Sequence, residues 1–84
     1  MSAHDDDLET TIRRVVGRFA PEADVDSLDP DVPLQEALEL DSMDFLNLMI
    51  AVHDETGVDV PEADYGRVAT LSGLVAYVRA RKPA

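Results

Sequence analysis

The sequence of 84 residues has no cysteine, no tryptophan and only two tyrosines and two phenylalanines. Without cysteine the chain supplies no disulfide staple, no thiolate zinc site and no thiol nucleophile of its own. Long apolar runs are missing too, and nothing approaches the roughly 18 consecutive apolar residues of a membrane-spanning helix. The opening Met1-Ser2-Ala3-His4-Asp5-Asp6-Asp7 has no basic region followed by an apolar stretch, so no secretory signal is expected and the expected location is cytoplasmic. Cations are scarce: 7 Lys and Arg stand against 18 Asp and Glu, a net charge of -11. Nucleic acid and anionic membranes repel such a surface, which leaves basic protein surfaces as its natural partners. A chain this short excludes a two-lobed enzyme with a cleft. It is read as a single domain over residues 5–82, monomeric, with 1–4 and 83–84 as frayed ends.

The distribution of charge is as informative as its total. No Lys or Arg occurs from Phe19 to Gly66, while fourteen Asp and Glu residues lie between Glu22 and Asp64. These carboxylates cannot all be paired internally. They keep a small protein dispersed, and they steer it toward a basic docking patch. The basic residues fall early, at Arg13, Arg14 and Arg18, and late, at Arg67, Arg79, Arg81 and Lys82. The last three suit the carboxyl end of a terminal helix.

Apolar spacing predicts an all-α fold: a bundle of three main helices plus one short helix, with a long loop after the first helix. Leu8, Ile12, Val15, Val16 and Phe19 recur three and four apart, predicting a first helix over roughly Asp5 to Phe19 that ends before Pro21. In the connection that follows, Val25, Leu28, Val32, Leu34 and Leu38 look like pins holding an irregular segment to the bundle, with a short helical turn at Leu34 to Leu38. The clearest helix spans Ser42 to Thr56. Asp41 and Asp44 have N-cap to N3 spacing at its start, and Gly57 suits a left-handed terminator. Val58-Asp59-Val60-Pro61 alternates like a strand but has no partner strand, so it is read as an extended connection into a short helix near Glu62 to Arg67. Thr70 offers an N-cap for a last helix, Leu71 to Lys82, with Leu71, Leu74, Val75 and Val78 inside and the Tyr77 hydroxyl in water.

Little in the chain suggests autonomous catalysis. His4 and His53 are the only histidines, and there is no glycine-rich phosphate cradle, zinc-protease signature or calcium loop. No metal site and no catalytic residue are expected. Ser42 stands apart by position. It can help begin its helix, or it can carry a phosphodiester at the positive helix end, where backbone donors favour an anion. Asp41 and Asp44 would repel that phosphate and are better read as cap and recognition residues.

Here the chain resembles the acyl carrier protein family. The resemblance runs from Leu8 to Val78 and centres on Leu40-Asp41-Ser42-Met43-Asp44, with the apolar helix after it, Gly57-Val58-Asp59-Val60-Pro61-Glu62, and Thr70-Leu71. It implies that a phosphopantetheinyl transferase attaches 4′-phosphopantetheine from coenzyme A to Ser42, and that the arm's thiol holds acyl groups as thioesters. In this family the working sulfur belongs to the cofactor, which fits the missing cysteine. The implied partners are the transferase and ketosynthase, acyltransferase or acyl-activating enzymes with basic docking patches. Partner recognition is expected at Asp41, Asp44, Phe45, Asn47 and Asp54, with Phe45 as a solvent-facing apolar contact. Shelter for an acyl chain is expected among Met43, Leu46, Met49 and Ile50 of the central helix and Val60, Val68, Leu71, Leu74 and Val75 beyond it. Ordinary core packing is the alternative role of these nine.

Departures from the fatty-acid carrier pattern point to a specialised acyl or polyketide carrier of a dissociated bacterial pathway. Glu39 stands where a glycine is common, Asn47 and His53 stand where acids are frequent, and Phe45 is bulkier than usual. The Gly-Gly-x-Ser pattern of peptidyl carriers is absent, which makes an aminoacyl cargo the less favoured alternative. A carrier-fold adaptor without a prosthetic group is the competing class.

Overall fold

Apolar residues three and four apart build the first helix, α1 (Ala3–Gly17), which buries Leu8, Ile12, Val15 and Val16. The computed structural model describes residues 3–81, with side chains from Leu8 onward. Of the frayed ends expected at 1–4 and 83–84, Met1, Ser2, Pro83 and Ala84 lie outside the described residues, as does the helix end at Lys82, whereas Ala3 and His4 belong to α1, which begins two residues before the expected Asp5. The helix stops at Gly17, two residues short of the expected Phe19. Arg18 N–H donates to Val15 O at 3.1 Å and Phe19 N–H to Val16 O at 3.0 Å, a tightening into three-residue turns at a glycine of low helix propensity.

The long connection is pinned, as its apolar content suggested. Val25, Leu28 and Leu38 pack half-buried on the core and Leu34 is fully buried. Arg13 contributes a tether that apolar spacing does not reveal: its guanidinium donates to the carbonyls of Val25 and Leu28. A single 3-10 turn, Val25–Ser27, is capped by Asp24, and a one-turn helix, α2 (Leu34–Ala37), follows. Leu34 N–H donates to Ala69 O at 2.7 Å and Ser72 N–H to Pro30 O at 3.0 Å, which ties this connection to the start of the last helix.

Residue 39 takes a backbone conformation that favours glycine. Glu39 has φ 53, and Leu40 N–H reaches back to Gln35 O at 2.9 Å, the six-residue closure of a left-handed helix terminus. The glutamate therefore bears a conformation that costs about 1–2 kcal/mol for a residue with a Cβ. The closure places Leu40 in the core and directs the chain into the next helix.

That helix, α3 (Ser42–Thr56), begins at Asp41, whose carboxylate accepts from Asp44 N–H at 2.8 Å. It ends at Gly57, φ 77, whose N–H donates to His53 O at 2.7 Å. Val58 and Val60 of the extended connection are buried while Asp59 is exposed. The stretch Glu62–Val68 is 3-10 rather than α-helical, and α4 (Leu71–Arg81) follows, its Gly73 N–H donating to the Thr70 hydroxyl at 3.0 Å. The Tyr77 side chain corrects the expectation of a wet hydroxyl: the residue is 6% exposed and its hydroxyl donates to Asp64 Oδ2 at 2.6 Å. Arg81 lies 3.6 Å from the ring centroid. Asp64 lies within the acidic stretch, so only the fold could show that it faces this tyrosine.

The result is an all-helical fold with no strand among the described residues. Helix α1 packs on both α3 and α4, and the 3-10 stretch packs on α4. Ile12, Val15, Leu34, Leu48, Val52, Val68, Leu74 and Val78 meet at 0% exposure. Each such burial contributes about 1.5–3 kcal/mol against conformational entropy.

Candidate functional site

Helix α3 carries two apolar stripes, and both have helical spacing. Phe45, Leu48, Met49, Val52 and Thr56 face the core. Met43, Leu46 and Ile50 face water, at 63%, 38% and 51% exposure. With 3.6 residues per turn, the second stripe is centred roughly 130° round the helix from the first. Ser42 falls between them, exposed on the first turn. Because Asp41 supplies the cap, the Ser42 hydroxyl is left out of helix initiation.

This placement corrects two expectations. Phe45 is not a surface contact: it is 5% exposed and meets the Tyr65 ring edge-on, with centroids 5.4 Å apart and planes at 77°. Leu46 and Ile50, with Met43, are not inside. The physical reason is the breadth of apolar sequence in α3, where periodicity alone admits either stripe as the core face. The exposed stripe is the feature that sequence reading missed, although its i, i+3, i+7 spacing was visible. Asp41, Asp44, Asn47 and Asp54 are exposed, as expected.

A groove of about 480 Å³ opens beside Ser42. Ser42, Met43, Phe45 and Leu46 line it from α3, Tyr65 and Ala69 add apolar surface, and Gln35, Glu62 and Gly66 complete the lining. Of the nine residues expected around a sheltered chain, Met43 and Leu46 line this groove. Met49, Val60, Val68, Leu71, Leu74 and Val75 are core residues at 6% exposure or less and lie outside its lining, as does Ile50. An exposed hydroxyl with an adjoining apolar groove is sterically and chemically suited to a covalent organic arm, and the volume lies in the range of small-molecule sites.

Electrostatics separate the two ends of α3. At the carboxyl end, Arg18 donates to Glu55 at 2.8 Å and Arg14 approaches it at 3.6 Å. The Arg18 hydrogen bond and charge, with help from Arg14, hold the Glu55 carboxyl below its ordinary range. At the amino end the flanking charges are of one sign, with the exposed carboxylates Asp41 and Asp44 on either side of Ser42. Among the described residues no cluster of three or more His, Asp or Glu is placed to hold a metal ion, and no helix is long and apolar enough to cross a membrane.

Residues 6–78 match the family described as "Phosphopantetheine attachment site". Over 47 residues the chain is 34% identical to proteins named acyl carrier protein from Rickettsia canadensis, Rickettsia felis and Rickettsia prowazekii. The shared stretch covers 56% of this chain and 55% of each relative, so the chain spans about half the length of the curated relatives it matches.

Proposed function

The chain belongs to the phosphopantetheine attachment site family, carrier domains that are generally non-catalytic and receive a prosthetic arm, and on that premise we propose that Ser42 is the residue that takes the arm. The observation that carries this reading is the exposed Ser42 hydroxyl, free of the capping duty done by Asp41 and opening onto an apolar groove. In the loading reaction the Ser42 oxygen bonds to the pantetheine-side phosphorus of coenzyme A, the pyrophosphate bond breaks, and adenosine 3′,5′-bisphosphate leaves. The hydroxyl proton passes to a base of the transferase or to water. When bound, the arm supplies the thiol on which acyl groups are carried as thioesters between enzymes.

The chain's own residues present and position that arm. Asp41 holds the start of α3 through the Asp44 amide, fixing where Ser42 points. Met43, Leu46 and Ile50 form an exposed apolar stripe beside Ser42, with Asp44, Asn47 and Asp54 on the same exposed helix. Acids accelerate approach to a basic enzyme surface, and apolar contacts then hold the close complex. The partners that suit this face are a phosphopantetheinyl transferase and the ketosynthases, acyltransferases or acyl-activating enzymes of a biosynthetic route. The working unit is a single carrier domain over 5–82, monomeric and non-catalytic, and its acyl cargo belongs to fatty-acid, polyketide or related biosynthesis.

Incubation with coenzyme A, magnesium and a broad-specificity transferase is expected to add the mass of one arm. Met43→Asp and Leu46→Asp, made at exposed positions, are expected to slow loading while leaving helical circular dichroism unchanged. A chain that stays at its unmodified mass with several transferases would instead be an adaptor without a prosthetic group.

A further inference from the structure

The Ser42 groove has an inner boundary made by two rings. Phe45 lies on the core-facing stripe of α3, yet it also lines the groove, and Tyr65 meets it from the other side, edge to face at 5.4 Å. The residues that form the centre of the core, Leu48, Val68, Leu71 and Leu74, are at 0 to 1% exposure, and none of them lines the groove. Of the residues that line the groove, Phe45 is the one that belongs to the buried core, so the aromatic pair stands where groove and core meet.

The boundary is also held in place. Tyr65 belongs to the 3-10 stretch Glu62–Val68, and the residue before it, Asp64, accepts the Tyr77 hydroxyl of α4 at 2.6 Å. Arg81 steadies that tyrosine in turn, resting 3.6 Å from the Tyr77 ring centroid. At Gly73, a Cβ would collide with the Arg67 carbonyl oxygen, so the same stretch sits directly on the α4 backbone. A wall clamped this way resists displacement by a flexible chain.

We propose that the Phe45–Tyr65 pair is a length-limiting stop: it confines sheltered cargo to short acyl groups within the groove beside Ser42 and leaves the tail of a longer chain in water. This rests on the reading that Ser42 carries the arm. A long hydrocarbon enters the core only if the edge-to-face contact opens, and opening it also disturbs the clamped 3-10 stretch. The groove is apolar at Met43, Leu46, Ala69 and the two rings, while Gln35 and Glu62 add polar groups to its lining, which suits a compact apolar group that ends in a polar linkage.

The test loads the full chain with butyryl, octanoyl and dodecanoyl arms from the corresponding acyl-coenzyme A thioesters, verifies each by intact mass, and measures thermal midpoints. A fully buried methylene raises the midpoint of a domain this size by roughly 3–6 °C. For the unaltered chain the dodecanoyl form is expected within about 2 °C of the octanoyl form, less than one such methylene. Tyr65→Ala removes one ring at a half-buried position, and Phe45→Leu keeps most of the apolar volume while removing the other. In both, the dodecanoyl form is expected to melt roughly 6 °C or more above the octanoyl form, as two or more methylenes become buried. A midpoint that climbs steadily with chain length in the unaltered protein, or variants that stay insensitive to length, would overturn the stop while leaving attachment intact. Absence of added mass on any form would overturn the attachment reading and the stop with it.

Discussion

At its carboxyl end α3 is tied down by bonds that reach several residues, whereas at its amino end the bonds run to Asp41. Gly57 closes the helix in a left-handed turn, Thr56 donates to Val52 O at 2.7 Å and accepts from Val58 N–H at 3.2 Å, and Glu55 meets Arg18 and Arg14. At the other end Asp41 accepts from Asp44 N–H with its carboxylate and from Phe45 N–H with its carbonyl, Ser42, Met43 and Asp44 are exposed, and a groove opens beside them. The contrast teaches how one helix divides its work. The carboxyl end and core face hold the bundle, while the amino end is left exposed, as the proposed modification of Ser42 requires.

The largest effect should come from setting the two stripes against each other. Leu48→Ala, at 0% exposure, is expected to cost about 2–5 kcal/mol in a urea titration. Met43→Ala, at 63% exposure, should stay within about 0.5 kcal/mol. Similar losses at both positions would erase the distinction between the faces. A change where the 3-10 stretch meets α4 comes next. Gly73→Ala drives a Cβ into the Arg67 carbonyl oxygen, backbone that cannot swing aside, and is expected to cost about 1–3 kcal/mol by the same titration.

The two left-handed residues give a smaller and signed comparison. Gly57 has φ 77, and a Cβ added there would meet nothing within 4 Å, so Gly57→Ala is expected to cost about 1 kcal/mol from backbone strain alone. Glu39→Gly should act in the opposite direction, because relief of strain at φ 53 exceeds the added freedom of the unfolded chain, for a net gain below about 1 kcal/mol. A loss on Glu39→Gly would mean that its side chain has a role beyond the turn.

The smallest effect is a pH dependence at the tied end. Arg18 and Arg14 lower the Glu55 pKa in the folded chain. Its contribution is therefore complete above the unfolded carboxylate pKa of about 4.3 and is lost as pH falls through the lower folded value. Glu55→Gln should narrow the difference in urea midpoint between neutral and acidic solution relative to the unaltered chain. An unchanged pH profile would show that exposed ion pairs here are energetically idle, as many are.

Much of this organisation was legible in residue spacing, and the gaps have physical causes. The bounds of α3 followed from Asp41 and Gly57 because a capping carboxylate and a left-handed glycine act locally. The Thr70 cap was visible for the same reason. The facing of α3 was not, since Met43, Leu46 and Ile50 repeat as regularly as Phe45, Leu48 and Val52, and only the packing of the rest of the bundle selects between them. Tyr65 and Tyr77 were equally hard to place. Their partners, Phe45 and Asp64, lie far off in sequence, and local pattern carries no information about such meetings. Ser42 was singled out by its position in the motif, while the groove beside it depended on the path of a distant 3-10 stretch.

The central claim is that α3 keeps its amino end open so that Ser42 can be modified, and fragmentation of the transferase-treated protein tests it most directly. One added phosphopantetheine is expected, located on Ser42, and none on Ser42→Ala with unchanged helical circular dichroism. An arm found on another residue, or on the Ser42→Ala chain, would contradict the claim.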